Sequence, residues 1–189
     1  MRSYFILCFL LFIISAPAFT QEFGGNPPSV KWQQVNTPEA RVIFPRGLDT
    51  AAQHIAGIVQ YLNRHTGATA GTAQRKINIV LQNQTTLANG YVGLAPWRSE
   101  FFLTPQFNSF QLGSLPWVDN LAIHEYRHVQ QYMNYRKGLS KLAYIMLGEE
   151  GQAIANSAAI PNWFFEGDAV FQETAVSGQG RGRLPHFFN

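Results

Sequence analysis

The 189-residue chain is 46% apolar and carries a formal net charge of +3, enough for one domain with its own core and short for two. Its only cysteine, Cys8, lies in the N-terminal leader, so disulfides cannot brace the mature domain and a metal there must be held by His and carboxylates. Without Arg2 the balance is 13 basic to 11 acidic side chains, and no cluster of Lys or Arg is interleaved with aromatics, so nothing electrostatic argues for nucleic acid as a partner.

Residues 1–18 have the pattern of a signal peptide: Arg2 gives a positive start, residues 4–14 are continuously apolar, and Ala16-Pro17-Ala18 supplies small residues before a cut. About eleven apolar residues fall short of the ~20 that span a bilayer, so no stable membrane anchor is expected after cleavage, and the product is secreted or periplasmic. Residues 19–29, with Gly24-Gly25 and Pro27-Pro28, form a linker, and the domain runs from 30 to 189.

A short strand is expected over 30–35 and another over 41–44, between Pro38 and Pro45, at a sheet edge. Asp49 or Thr50 can cap a helix with an apolar stripe at Ala52, Ile55, Ala56, Ile58, Val59 and Leu62, ended by Gly67. His54 and His65 fall in or beside it as surface or core-edge residues, neither having a liganding neighbour at useful spacing. Residues 76–82 give the clearest strand, Asn89-Gly90 turns the chain into Tyr91-Val92, and 100–103 is a further apolar strand. Helices alone follow: one from about 114–117 to Gly138, apolar over much of its circumference, then 139–147 and 152–159. After the break at Ile160-Pro161, Asn162 caps a last helix running to Glu173. The fold class is α+β, an N-terminal mixed sheet with helices followed by a mainly helical part.

The long central helix carries His124-Glu125-Tyr126-Arg127-His128, an H-E-x-x-H pattern. Two histidines four apart project from one helix face and can reach one cation, while the glutamate between them addresses a water on it, the core arrangement of a zinc hydrolase. A catalytic zinc takes three protein ligands and leaves the fourth position to water. Gln131 and Asn134 stand where a metzincin has its glycine and third histidine, which excludes that class. Glu166 is the strong candidate, because an unpaired ionised carboxylate would be costly in so apolar and aromatic a helix. Glu173 lies on the same face and suits an acceptor that holds a ligand imidazole by its other N–H. Glu149 and Glu150 are rival ligands, and His186 a weaker one.

His124-Glu125-Tyr126-Arg127-His128 together with the later Pro161-Asn162-Trp163-Phe164-Phe165-Glu166-Gly167-Asp168-Ala169-Val170 resembles the gluzincins, specifically bacterial exported proteins with a peptidase MA-like domain related to the M1 aminopeptidase catalytic domain. The resemblance implies a zincin-like fold in which His124, His128 and Glu166 ligate one zinc ion, Glu125 is the general base, and the substrate is a peptide or protein. No Gly-x-Met-Glu-Asn segment is present, so recognition of a free amino terminus is not implied, and no oxyanion-stabilising residue is identifiable. The alternative is a non-catalytic zinc-binding module of a larger exported protein. After Glu173 come sixteen residues, mostly Gly, Arg and polar, with Leu184, Phe187 and Phe188 lacking a following element to bury against. The expectation is an incomplete C-terminus with a mobile stretch from Gly178 onward, an exposed apolar patch there, and a further C-terminal domain in a longer parent protein.

Overall fold

Alternation of apolar residues with period two and stripes with period 3.6 sort the described residues into one mixed sheet and four helices. The computed structural model describes residues 25–107, 112–185 and 187; the leader, residues 19–24 of the linker, His186 and the last two residues lie outside them. The strands are β1 (Trp32–Asn36), β2 (Ala40–Pro45), β3 (Ile77–Gln82), β4 (Gly90–Gly93) and β5 (Arg98–Phe102). The helices are α1 (Asp49–Ala70), α2 (Trp117–Asn134), α3 (Gly138–Ala159) and α4 (Asn162–Val176), followed by a 3₁₀ turn at Arg181–Arg183. The sheet order is β1-β2-β3-β5-β4. The three inner strands run parallel and the two edge strands antiparallel to their neighbours, with Val42 opposite Ile79 and Ile79 opposite Ser99. The class is therefore α+β with a mixed sheet. The second strand, expected at an edge, is interior: it pairs with β1 on one side and β3 on the other, and Pro45 interrupts nothing because it closes the strand.

A parallel neighbour requires a crossover, and α1 supplies it between β2 and β3. Its stripe Ala52, Ile55, Ala56, Val59 and Leu62 is buried against Val42, Phe44, Ile77, Ile79 and Leu81 of the sheet and Leu121, Ala122, Tyr126, Val129 and Met133 of α2. Fully burying each large aliphatic here contributes about 1.5–3 kcal/mol, which is what holds a helix that would be marginal alone. Asp49 is the first residue of α1, not its cap, and its carboxylate favours the positive end of the helix dipole. Gly67 does not end the helix. Buried Thr66 bonds Leu62 O and Gln130 of α2, so tertiary packing carries α1 past the ~1 kcal/mol penalty of an internal glycine to Ala70. The stop is Gly71, at φ 127°. A Cβ there would lie 2.2 Å from Asn134 Oδ1, which accepts the Ala73 N–H at 3.0 Å. Gly71→Ala is therefore expected to cost about 2–3 kcal/mol and lower Tm by roughly 5–10 °C. A thermal melt within a degree of wild type would mean that Asn134 moves aside without cost.

Helix α2 starts at Trp117, whose indole N–H donates to Phe102 O at 2.8 Å and ties the helix to the end of β5. It ends at Asn134, four residues short of the expected Gly138, where the Asn134 side-chain amide bonds Ala73 N–H and C=O. Gly138, at φ 53°, instead turns the chain into α3. That helix is a hairpin. Gly148 (φ 66°, ψ −146°) breaks it, and Ser140 Oγ donates to Asn156 Oδ1 at 2.8 Å although sixteen residues of straight helix would separate them by about 24 Å. The two expected helical stretches are its two halves. They approach so closely that a Cβ on Gly151 would sit 2.3 Å from Ala143 O.

The described part of the chain's end packs in part on α4. Arg181 and Arg183 reach back to Glu173 and to Thr174 O and Ser177 O, so the 3₁₀ turn is packed on α4, and Leu184 is half-buried. Phe187 is 41% exposed at that end, and side chains more exposed still include Phe107, the α3 residues Leu139, Ile145, Met146, Leu147 and Ile154, and Trp163 and Phe171 of α4. Among the described residues no helix is long and apolar enough to cross a membrane.

Candidate metal centre

Helix α2 crosses behind the sheet with most of its surface buried, so side chains on its one open face project into the groove between β4 and α4. His124 and His128 share that face. Their Nε2 atoms lie 3.1 Å apart, and Glu166 Oε2, from the first turns of α4, lies 3.2 Å from the first and 3.6 Å from the second. These three ligand atoms form a group able to hold a metal ion. Glu166 differs from expectation in one respect: its side chain is 50% exposed, so burial does not single it out. What does is convergence with the two imidazoles. Their hydrogen bonds hold its carboxyl far below the ordinary carboxylate range, His124 contributing more than His128.

Both imidazoles are oriented from behind. His124 Nδ1 meets Glu173 Oε1 at 2.6 Å, and Glu173 is fully buried and further held by Arg181 Nε at 2.8 Å. Burial pushes the Glu173 carboxyl up, but the bonds from His124 and Arg181 outweigh it, so the carboxyl stays below its usual range. His128 Nδ1 meets Gln131 Oε1 at 2.8 Å. The other end of that amide donates to Phe165 O at 2.9 Å and Asp168 Oδ2 at 2.7 Å, which assigns oxygen to the His128 side and a proton to His128 Nδ1. With Nδ1–H committed to oxygen acceptors on both rings, both Nε2 atoms are aimed at Glu166, where a cation would take the place of the proton that bonds its carboxylate. This is the arrangement in which a neutral imidazole serves as ligand.

Glu125 is buried on the cleft side of α2, and burial raises its carboxyl above the ordinary range despite the opposing charges of His124 and His128. Strand β4 passes directly over it. A Cβ on Gly90 would lie 2.9 Å from Glu125 Oε1 and 2.8 Å from Leu121 Cδ2, so only glycine lets the strand approach the carboxyl this closely. The resulting cleft, of about 290 Å³, is bounded by Gly90, Tyr91 and Val92 on one side and by Tyr132, Asn162 and Phe165 on the other. Phe165 stacks on His128 with centroids 5.0 Å apart.

The remaining candidates are placed away from this cleft. Glu149 accepts from Arg75 and from the Trp97 N–H at 3.1 Å, Glu150 is exposed on α3, and His186 lies outside the described residues. His54 has a partner that spacing could not reveal, Asp119 at 2.7 Å, and His65 stacks on Tyr61; neither joins the metal group. Four contributors carried no signal that sequence reasoning used. Gln131 is visible in retrospect as one turn beyond His128, whereas Arg181, Gly90 and the buried Arg127–Asp168 pair depend on tertiary contacts.

A proton competes with a cation for this centre. Burial opposes charge on His124, but hydrogen bonds to Glu166 and Glu173 raise its pKa from 6.5 to about 9. Since the folded value lies above the unfolded one, the stability this group contributes is fully present below pH 6.5 and is lost as pH rises through about 9. A divalent cation must displace that proton from Nε2. Its affinity is expected to rise about tenfold per pH unit up to about 9 and then level off. Chelator-buffered zinc titrations at a series of pH values measure this directly, and a flat profile between pH 6.5 and 8.5 would show that no proton is displaced.

Comparison of the chain with protein-family models, with curated proteins and with solved structures finds no match.

Proposed function

We propose that this chain is an exported zinc metallopeptidase of gluzincin type, with His124, His128 and Glu166 as ligands and Glu125 as general base. The observation that carries the reading is the convergence of two Nε2 atoms and one carboxylate oxygen at 3.1–3.6 Å, with both Nδ1 atoms anchored from behind. An ion with tetrahedral bonds of 2.0–2.1 Å wants its ligand atoms roughly 3.3 Å apart, so the donor set fits zinc in both spacing and chemistry. Three protein ligands leave one position open, as hydrolysis requires. When bound, zinc would act as a Lewis acid that lowers the pKa of water toward ~7 and polarises a carbonyl.

The chain's own residues would do the rest. Glu125, its basicity raised by burial, takes a proton from the attacking water and returns it to the departing amine. β4 supports a peptide as substrate: among the described residues it is an edge strand paired with β5 alone, and it borders the cleft beside Glu125. An extended chain can add to such an edge through main-chain hydrogen bonds, which brings one carbonyl to the metal side of the cleft. The leader pattern at residues 1–18 supports export.

Elemental analysis tests the ligand set. About one zinc per chain is expected, falling to near zero in His124→Ala, His128→Ala and Glu166→Ala, because a three-ligand site missing one ligand does not hold zinc tightly. Full occupancy in Glu166→Ala would remove Glu166 from the set. Zinc held by wild type without hydrolysis of any peptide in a broad library would favour the non-catalytic module.

A further inference from the structure

The cleft does not end at Phe165. Tyr132, Asn162 and Phe165 also wall an adjoining pocket, closed on its far side by Asn156, Ser157 and Ile160 where α3 ends and α4 begins. Because Phe165 stacks on His128, this pocket opens one ring's thickness from a metal ligand. Its volume of about 160 Å³ far exceeds the ~10–15 Å³ that a single water needs, so it has room for a side chain.

Its chemistry is specific. Two carboxamides, a hydroxyl and a phenol stand among two apolar side chains, and no charged residue lines it. A Lys, Arg, Asp or Glu side chain entering it would lose hydration without gaining a counter-charge, and a purely apolar one would leave the amides without partners. Asn156 adds an independent sign. It is 4% exposed and its Oδ1 accepts the Ser140 hydroxyl at 2.8 Å, yet its Nδ2 has no hydrogen-bond partner among the described residues. Buried polar groups are nearly always paired, and this one lies just behind the pocket wall, where a small rotation of the Asn156 side chain would bring Nδ2 to an acceptor in the cavity.

We propose that this pocket is a specificity subsite, taking an uncharged hydrogen-bonding side chain, a carboxamide or hydroxyl, from the substrate residue flanking the cleaved bond. The inference rests on the peptidase reading above. Its Asn156 amide would donate to the side-chain oxygen, the Tyr132 and Phe165 rings would flank the side chain, and Ser157, at the exposed rim, would meet its tip.

Profiling zinc-loaded protein on peptides varied at each position around the cleaved bond tests it. At one flanking position Gln, Asn, Ser or Thr is expected to exceed Glu, Asp, Lys and Arg at least tenfold in kcat/KM. Ser157→Asp should shift that same position toward Lys and Arg by tenfold or more while zinc content stays at wild-type level. Asn156→Leu should erase the advantage of Gln over Glu, and if that variant does not fold, Ser157→Asp decides alone. An unchanged profile in Ser157→Asp overturns the assignment. Calorimetric binding of Gln and Glu versions of one peptide to Glu125→Gln separates the two levels. A tenfold preference for Gln, lost in the Ser157→Asp double variant, sustains the pocket even if wild type hydrolyses nothing, an outcome that would sink the peptidase reading instead. No preference in binding overturns the pocket.

Discussion

Glu125→Gln is expected to keep the fold and the metal while losing about 10²–10⁴-fold in peptide hydrolysis, the usual contribution of a positioned general base. The separation is clean because Glu125 is not among the converging ligand atoms, which belong to His124, His128 and Glu166. The substitution preserves shape in a place where shape matters, under a strand that leaves no room for a Cβ on Gly90. It removes only the ability to accept a proton. Burial raises the carboxyl toward the operating pH, which strengthens it as a base, so the chemistry lost is larger than at an exposed glutamate. Metal analysis and steady-state kinetics on the same preparation distinguish the outcomes. Wild-type kcat with one zinc per chain would mean that another group takes the proton, whereas loss of zinc would mean that Glu125 supports the ligand cage.

The metal group was legible in sequence because it depends on one local rule. His124 and His128 meet whenever residues four apart lie on a helix, and the apolar circumference of α2 required that helix to be buried. Glu166 was found for a reason that does not hold. It was expected to be buried among aromatics, but it is half exposed at the cleft mouth, and the aromatic run Trp163-Phe164 is itself largely outside the core. Apolar sequence around a carboxylate does not reveal burial when the helix has an open face. The boundaries of α1 and α2 were misread by three and four residues for a shared cause: Gln130 and Asn134 of α2 bond Thr66 and Ala73 across the interface, and no local propensity encodes a partner some sixty residues away. The same limit hid Arg181, whose contact with Glu173 no local signal announces.

The largest expected loss of stability is Asp168→Ala, and it reaches the metal. Arg127, 4% exposed, donates to Asp168 through Nε at 2.7 Å and Nη2 at 2.9 Å, in a fork that clamps α4 onto α2. Burial pushes the Asp168 carboxyl up, but Arg127 and Gln131 hold it below the ordinary value, so its contribution persists above about pH 4 and is lost on acidification. Removing the carboxylate leaves a buried guanidinium without its counter-charge, at a cost of about 3–5 kcal/mol and a fall in Tm of roughly 6–20 °C. Gln131 loses a partner as well. Since the opposite end of that amide fixes the His128 ring, zinc affinity is expected to fall about 10–100-fold, the usual effect of loosening a ligand's outer support. The pair Arg127→Met with Asp168→Leu should separate the two consequences. Apolar replacement of a buried ion pair commonly restores stability, but Leu cannot accept from Gln131, so Tm should recover while zinc affinity stays low. Recovery of both together would show that Asp168 acts on the metal only through global stability, and an Asp168→Ala variant with wild-type Tm would show that the clamp contributes nothing.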